Sequence, residues 1–268
     1  MYFFLAHGGQ RQYKDHPRAS WKAQARPTSP LAATPATCLD LPCLNAVFSA
    51  AEDAWRRGPD GDDPLDRIAD ALRGPGYIVL PAPLPPALLG ALLRHFRSID
   101  RSRFQSAGIG RESEHQVNQF VRTDEIFWLD RSNPAVAAYL NWAESLRLGL
   151  NRRLFLGLFD YECHYARYDC GSFYKKHLDA FKGSTNRIVS TVLYLTPNWQ
   201  PKDGGELQIY APGSDEVIEK VAPRFGQMVV FLSEEFPHEV LTSHRSRYSV
   251  TGWFRVNNSL GENIDPAR

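Results

Sequence analysis

From Tyr161 to Val256 the sequence is a succession of short segments, "YECHYARY", "SFYKKHL", "RIVSTVLYL", "GELQIY", "VIEKVA", "GQMVVFL", "HEVLT" and "RYSVTGWFRV". Turn formers such as "PNWQPKDGGE", "APGSD" and "SEEFP" stand between them. Many short strands in this rhythm restrict the fold to a sandwich or barrel of antiparallel strands. Upstream the pattern is helical. "DPLDRIADALR" reads as an amphipathic helix stopped by Gly74 and Pro75, and a short strand follows at Tyr77 to Leu80. Prolines then open a second helix, and Ser132-Asn133-Pro134 leads into a long one from about Asn133 to Phe155. Helices first and strands later predict an α+β fold in which helices buttress a sheet.

Residues 61–268 are read as one domain. Residues 1–60 are read as a largely disordered or loosely packed extension, because "ARPTSPLAATPATCLDLP" and "RRGPDGDDP" are runs of Pro, Thr, Ala, Gly and Asp. The polar, glycine-containing "QSAGIGRESEHQVNQFVRTD" predicts a mobile loop ahead of the apolar "EIFWL". Lys+Arg 31 against Asp+Glu 30 gives a net charge of +1, which argues against a general nucleic-acid or membrane-surface binder. No apolar run reaches the length of a membrane span, and "MYFFLA" lacks the basic flank of a secretory signal. Cys38, Cys43, Cys163 and Cys170 form no CxxC pair, so neither a disulfide framework nor a zinc knuckle is expected. These features predict a cytoplasmic protein.

In "FYKKHLDAF", His177 and Asp179 stand two apart in a stretch that reads as a strand, where residues i and i+2 face one side. A buried hydrogen-bonded couple, an acid/base pair and two ligands of a metal all fit that spacing. A third ligand would come from a distant strand. His238 opens "HEVLT" directly after Pro237, whereas His244 lies in the polar turn "TSHRSR", so His238 is the better candidate. Two His and one carboxylate leave three positions open, the facial arrangement suited to non-haem Fe(II) with a chelating cosubstrate and O₂. A structural zinc site is more often closed by four protein ligands. Arg247, at the start of the last strand, offers the planar fork that holds a carboxylate bidentately, such as the far carboxylate of 2-oxoglutarate.

"YDCGSFYKKHLDAF", "RIVSTVLYLTPNW", "GGELQIY", "FGQMVVFLSEEFPHEV" and "SRYSVTGWF" together resemble the catalytic domain of the 2-oxoglutarate-dependent prolyl hydroxylases. The likeness is to the group resembling the oxygen-sensing HIF prolyl hydroxylases and their bacterial relatives, and it spans roughly residues 64 to 258. The resemblance implies a double-stranded β-helix, or jelly-roll, with flanking helices. It implies Fe(II) held by His177, Asp179 and His238, and 2-oxoglutarate held by Arg247 with Tyr194. It places Tyr168 near the metal end and Trp253 and Tyr174 in the pocket wall. Asp124 and Arg187 are expected to pair and to hold the loop closed over substrate. The implied reaction uses O₂, needs no side-chain nucleophile, and hydroxylates a prolyl residue of a protein or peptide with release of succinate and CO₂. Hydroxylation of a free amino acid or other small molecule is the same-chemistry alternative, and a non-enzymatic metal- or ligand-binding jelly-roll module is the second.

Overall fold

A computed structural model of the protein describes residues 63–107, 121–180 and 186–257. The amino-terminal extension and the middle of the loop, with Gly108 and Gly110, lie outside the described residues. Helix α1, Pro64–Arg73, begins where the Asp63 side chain accepts from the Leu65 amide, with Pro64 at a position that needs no N–H. Its apolar stripe, Leu65, Ile68, Ala69 and Leu72, is buried. Strand β1, Tyr77–Leu80, and helix α2, Pro86–Ser98, follow. Short strands β2, Gln105–Ser106, and β3, Glu125–Trp128, bracket the loop. Helix α3, Pro134–Leu154, is capped by the Asn133 side chain on the Ala135 amide. A Cβ at Gly149 would come within 2.7 Å of Leu65, so the missing side chain lets α1 sit close on α3. Arg153 clasps Asp63 and Asp66 beside that contact.

Eight strands then run as β4, Leu158–Tyr168; β5, Tyr174–His177; β6, Arg187–Tyr194; β7, Leu207–Tyr210; β8, Val217–Val221; β9, Met228–Leu232; β10, His238–Val240; and β11, Arg247–Val256. A seven-stranded sheet has the order β1-β9-β6-β11-β4-β3-β2, and a four-stranded sheet the order β5-β10-β7-β8. Every pairing between strands is antiparallel. This is the double-stranded β-helix with helices against one sheet.

Two cores hold it. Between the helices and the outer face of the large sheet lie Leu92, Leu146 and Leu150 with Tyr165, Val250 and Phe254, all fully buried. Each such aliphatic side chain contributes about 1.5–3 kcal/mol relative to exposure. The second core fills the barrel between the sheets, with Tyr168, Val192, Tyr194 and Phe231 from the large sheet against Leu207, Ile209 and Val240 from the small one. Strand β4 is therefore buried on both faces. Its outer face is Tyr161, Cys163 and Tyr165, and its inner face is Asp160, Glu162, His164, Ala166 and Tyr168. No helix of the described residues is long and apolar enough to cross a membrane.

Two expectations need correction. Strand β5 ends at His177, so Asp179 stands in a bend rather than in the strand. Asp124 and Arg187 do not pair. Asp124 is gripped by Arg122, two residues away on the same side of extended chain, through bonds of 2.8 and 2.7 Å. Arg187 lies opposite Arg255 in the β6–β11 register and is held by Glu162 at 3.0 and 2.9 Å.

Candidate active site

Strand β10 pairs with β5 in a register that sets His238 directly across from His177. The bend after β5 brings Asp179 Oδ1 to 3.6 Å from His177 Nε2 and 3.7 Å from His238 Nε2. One potential ligand atom from each residue lies within 4.8 Å of the others, and among the described residues no other group of three or more does so. His244 is exposed, with its amide tied to the Asp203 carbonyl, and stands outside the group.

The backbone orients both imidazoles. His177 Nδ1 is 2.8 Å from the Lys175 carbonyl and His238 Nδ1 is 3.0 Å from the Phe236 carbonyl. A carbonyl oxygen only accepts, so each Nδ1 donates and each Nε2 is left facing Asp179. Burial and the neighbouring His177 lower the His238 pKa to about 4, so at neutral pH it is an uncharged donor ligand. Burial opposes ionisation of Asp179, and the hydrogen bond donated by Ser190 favours the carboxylate without needing a charged histidine. Two imidazole nitrogens and one carboxylate oxygen, each aimed at a common point, suit a divalent cation of intermediate hardness.

Ser190 was not singled out by sequence, although it lies two and four residues from Val192 and Tyr194 on the inward face of β6. Its Oγ donates to Asp179 Oδ2 at 2.6 Å and meets Ser233 Oγ at 2.9 Å. One carboxylate oxygen is thus pinned while the other faces the histidines. Ser190→Ala is expected to weaken Fe(II) binding by roughly ten-fold or more, the usual effect of losing a group that orients a metal ligand. Titration of Fe(II) against a competing chelator checks this, and unchanged affinity contradicts it.

Deeper in the barrel, Arg247 is 2 % exposed and meets no carboxylate among the described residues. Its guanidinium lies 4.7 Å from the Tyr168 ring and 5.1 Å from the Tyr194 ring. Tyr168 is its direct cross-strand neighbour. Three buried polar atoms here lack a hydrogen-bond partner: Arg247 Nε, Tyr194 Oη and Ser243 Oγ. Burial raises the Tyr194 pKa to about 12 against the opposing charge of Arg247, so its hydroxyl keeps a proton to donate. Gly205, at φ 73°, leaves room at this point, since a Cβ there would fall 2.5 Å from Ser243 Oγ and 3.0 Å from Arg247 Cδ. Unpaired donors around an unpaired buried cation fit a carboxylate of a small acid.

The wall at the metal end is aromatic. Tyr174 stacks on His177 with ring centroids 3.5 Å apart, and Arg122 covers the other side of Tyr174 at 4.2 Å. Arg122 also escaped sequence reasoning, because only the fold brings "RTD" beside the "FYKKH" strand. Trp253 is covered by Arg187 at 3.6 Å. His164 lies between Trp253 and Trp128, with ring centroids 5.4 and 5.2 Å away. Burial, with Arg122 and Arg187 nearby, lowers the His164 pKa to about 4. The unfolded chain takes a proton near pH 6.5, which the folded chain refuses down to about pH 4, so stability rises with pH across that window and falls on acidification. The contribution of this one residue is roughly 3 kcal/mol. His164→Met is expected to flatten the decline in melting temperature between pH 6.5 and 4, and an unaltered decline contradicts the assignment.

The model of the 2OG-Fe(II) oxygenase superfamily matches residues 163–255, which carry the three candidate ligands and Arg247. The crystal structure of a Pseudomonas putida prolyl-4-hydroxylase is 41% identical, with a TM-score of 0.66 over 72% of this chain and 100% of that one. The chain belongs to the 2OG-Fe(II) oxygenase superfamily. A Trichoplax adhaerens prolyl hydroxylase, solved in complex with a hypoxia inducible factor oxygen degradation domain peptide fragment, is 26% identical with a TM-score of 0.65, over 71% of this chain and 88% of that one. Mouse prolyl hydroxylase EGLN3 is 36% identical over 86 residues, 31% of this chain and 35% of that protein. The match therefore spans about a third of the length of these curated relatives. Membership in the superfamily makes the protein a dioxygenase whose cofactors are Fe(II), 2-oxoglutarate and O₂. The set of two imidazole Nε2 atoms and one carboxylate fits the metal, and the orphaned donors around Arg247 fit the cosubstrate.

Proposed function

We propose that the protein hydroxylates a prolyl residue of a protein or peptide, with 2-oxoglutarate converted to succinate and CO₂. The observation that carries this reading is the charge balance of the pocket. Arg122, Arg187 and Arg255 are each matched by an acid, Asp124, Glu162 and Asp160. Arg247 alone of these arginines meets none among the described residues, and it is assigned to the cosubstrate. A free amino acid would bring a second carboxylate that needs a cation of its own. An internal prolyl residue brings none, and its apolar ring suits the aromatic side chains beside the ligand set, Tyr174 stacked on His177 and Trp253 across from Ser190.

In this reading His177, Asp179 and His238 hold the iron, and Arg247 and Tyr194 hold the far carboxylate of 2-oxoglutarate. Bound together with O₂, these groups supply oxidation of an unactivated C–H bond, one oxygen atom going to the product hydroxyl and the other to succinate. The chain itself contributes geometry. Ser190 fixes the Asp179 carboxylate, the Lys175 and Phe236 carbonyls fix the imidazole tautomers, and the aromatic wall excludes water and aims the ring. No side chain acts as a nucleophile. The domain of residues 61–268 and a cytoplasmic setting, where free thiols persist, belong to the same proposal.

The experiment is a screen of proline-centred peptides and free L-proline with Fe(II) and 2-oxoglutarate, read by mass spectrometry. The expected result is gain of one oxygen atom at proline in a subset of peptides. Oxidation of free proline with no peptide converted overturns the reading.

A further inference from the structure

We propose that His164 is the hydrogen-bond acceptor for the backbone N–H of the residue that follows the target proline, so that it distinguishes a peptide from an isolated ring. This rests on the prolyl-peptide reading above. His164 sits mid-strand on the inward face of β4, between Glu162 and Ala166, with Trp128 and Thr251 as its direct cross-strand neighbours. It is 3 % exposed. Its Nδ1 lies 3.1 Å from the Tyr165 carbonyl, which only accepts, so the ring proton is on Nδ1 and Nε2 carries a lone pair. Nε2 receives no hydrogen bond among the described residues.

The surroundings keep it an acceptor. Arg122 and Arg187 both disfavour a proton on the ring, with burial the larger cause. Nε2 is not among the fully buried atoms left without a partner, so it keeps an accessible edge at which a ligand N–H can replace water. Beside it, Trp253 Nε1 is a buried donor with no partner, in a residue 6 % exposed. An acceptor and a donor on neighbouring walls match peptide backbone, which offers N–H and C=O together. Proline itself has no N–H. The nearest backbone N–H on its carboxyl side belongs to the next residue, which is why that group is assigned to His164.

The test uses the full chain with Fe(II), 2-oxoglutarate and the best-converted peptide of the proline-centred set, alongside the same peptide N-methylated at the residue after proline. For the wild-type protein, methylation is expected to lower kcat/KM by roughly five-fold, the effect of losing one neutral hydrogen bond, through KM rather than kcat. His164→Leu should raise KM for the parent peptide and treat the two peptides alike. His164→Gln, which restores an acceptor, should discriminate again. Wild-type indifference to methylation, or a leucine variant that discriminates as strongly as wild type, overturns the proposal. Should the leucine variant fail to fold, His164→Met serves in its place, and the wild-type peptide comparison still decides. Failure of the wild-type protein to convert any peptide overturns the prolyl-peptide reading itself, an outcome seen before any variant is made.

Discussion

His177→Ala, Asp179→Ala and His238→Ala are each expected to lose Fe(II) binding and succinate release, while His244→Ala keeps both. Among the described residues three protein atoms converge here, so losing one leaves a two-point site. Asp179→Ala has the largest effect, because it removes the one anion and leaves two neutral imidazoles facing each other. Loss of folding does not account for it. The carboxylate sits at 8 % side-chain exposure beside groups that must themselves stay desolvated, so the metal-free variant is expected to melt close to the metal-free wild type. His244 is exposed in its turn, and its backbone bond to Asp203 survives truncation. Equilibrium dialysis with Fe(II) under anaerobic conditions, followed by a succinate assay, checks all four. An inactive His244→Ala beside an active His238→Ala contradicts the ligand assignment.

Arg247→Lys is expected to weaken 2-oxoglutarate by roughly ten-fold, since a point charge replaces a planar fork and one charge-assisted hydrogen bond is lost. Arg247→Met should abolish binding and, in the absence of cosubstrate, stabilise the protein. A buried cation without an acid partner opposes folding, because its desolvation is a cost that an apolar side chain of similar size does not carry. The wild-type protein should therefore gain melting temperature on adding 2-oxoglutarate, and the methionine variant should start higher and gain nothing. A methionine variant that still responds to 2-oxoglutarate removes Arg247 from the cosubstrate site.

Local pattern was enough for the elements and for residues whose role depends on position in a strand. Proline and Asn133 marked the helix starts, Gly74 marked a stop, and the turn clusters separated the strands of both sheets. Arg247 was visible because it opens the last strand, and His238 because it opens a strand directly after Pro237. What depends on cross-strand register was hidden. Asp124 and Arg187 each carry a charge that any nearby opposite charge satisfies, and only the pairing of β6 with β11 and of β4 with β11 shows that Glu162 takes Arg187. Asp179 was read as part of a strand because spacing cannot show that the chain bends after His177. Ser190, Arg122 and His164 looked ordinary for a related reason. A serine in a strand, an arginine in a loop and a histidine in an apolar run gain a role only when other strands bring Asp179, Tyr174 and Trp253 against them.

In the proposed reaction this barrel splits O₂ between 2-oxoglutarate and a prolyl peptide. Turnover under ¹⁸O₂ with Fe(II), 2-oxoglutarate and a converted peptide tests it most directly, read by mass spectrometry of both products. One labelled atom is expected in succinate and one in the hydroxyproline, with both signals lost in Asp179→Ala and in Arg247→Met. Succinate labelled without any label in the peptide, or hydroxyproline formed without 2-oxoglutarate, contradicts it.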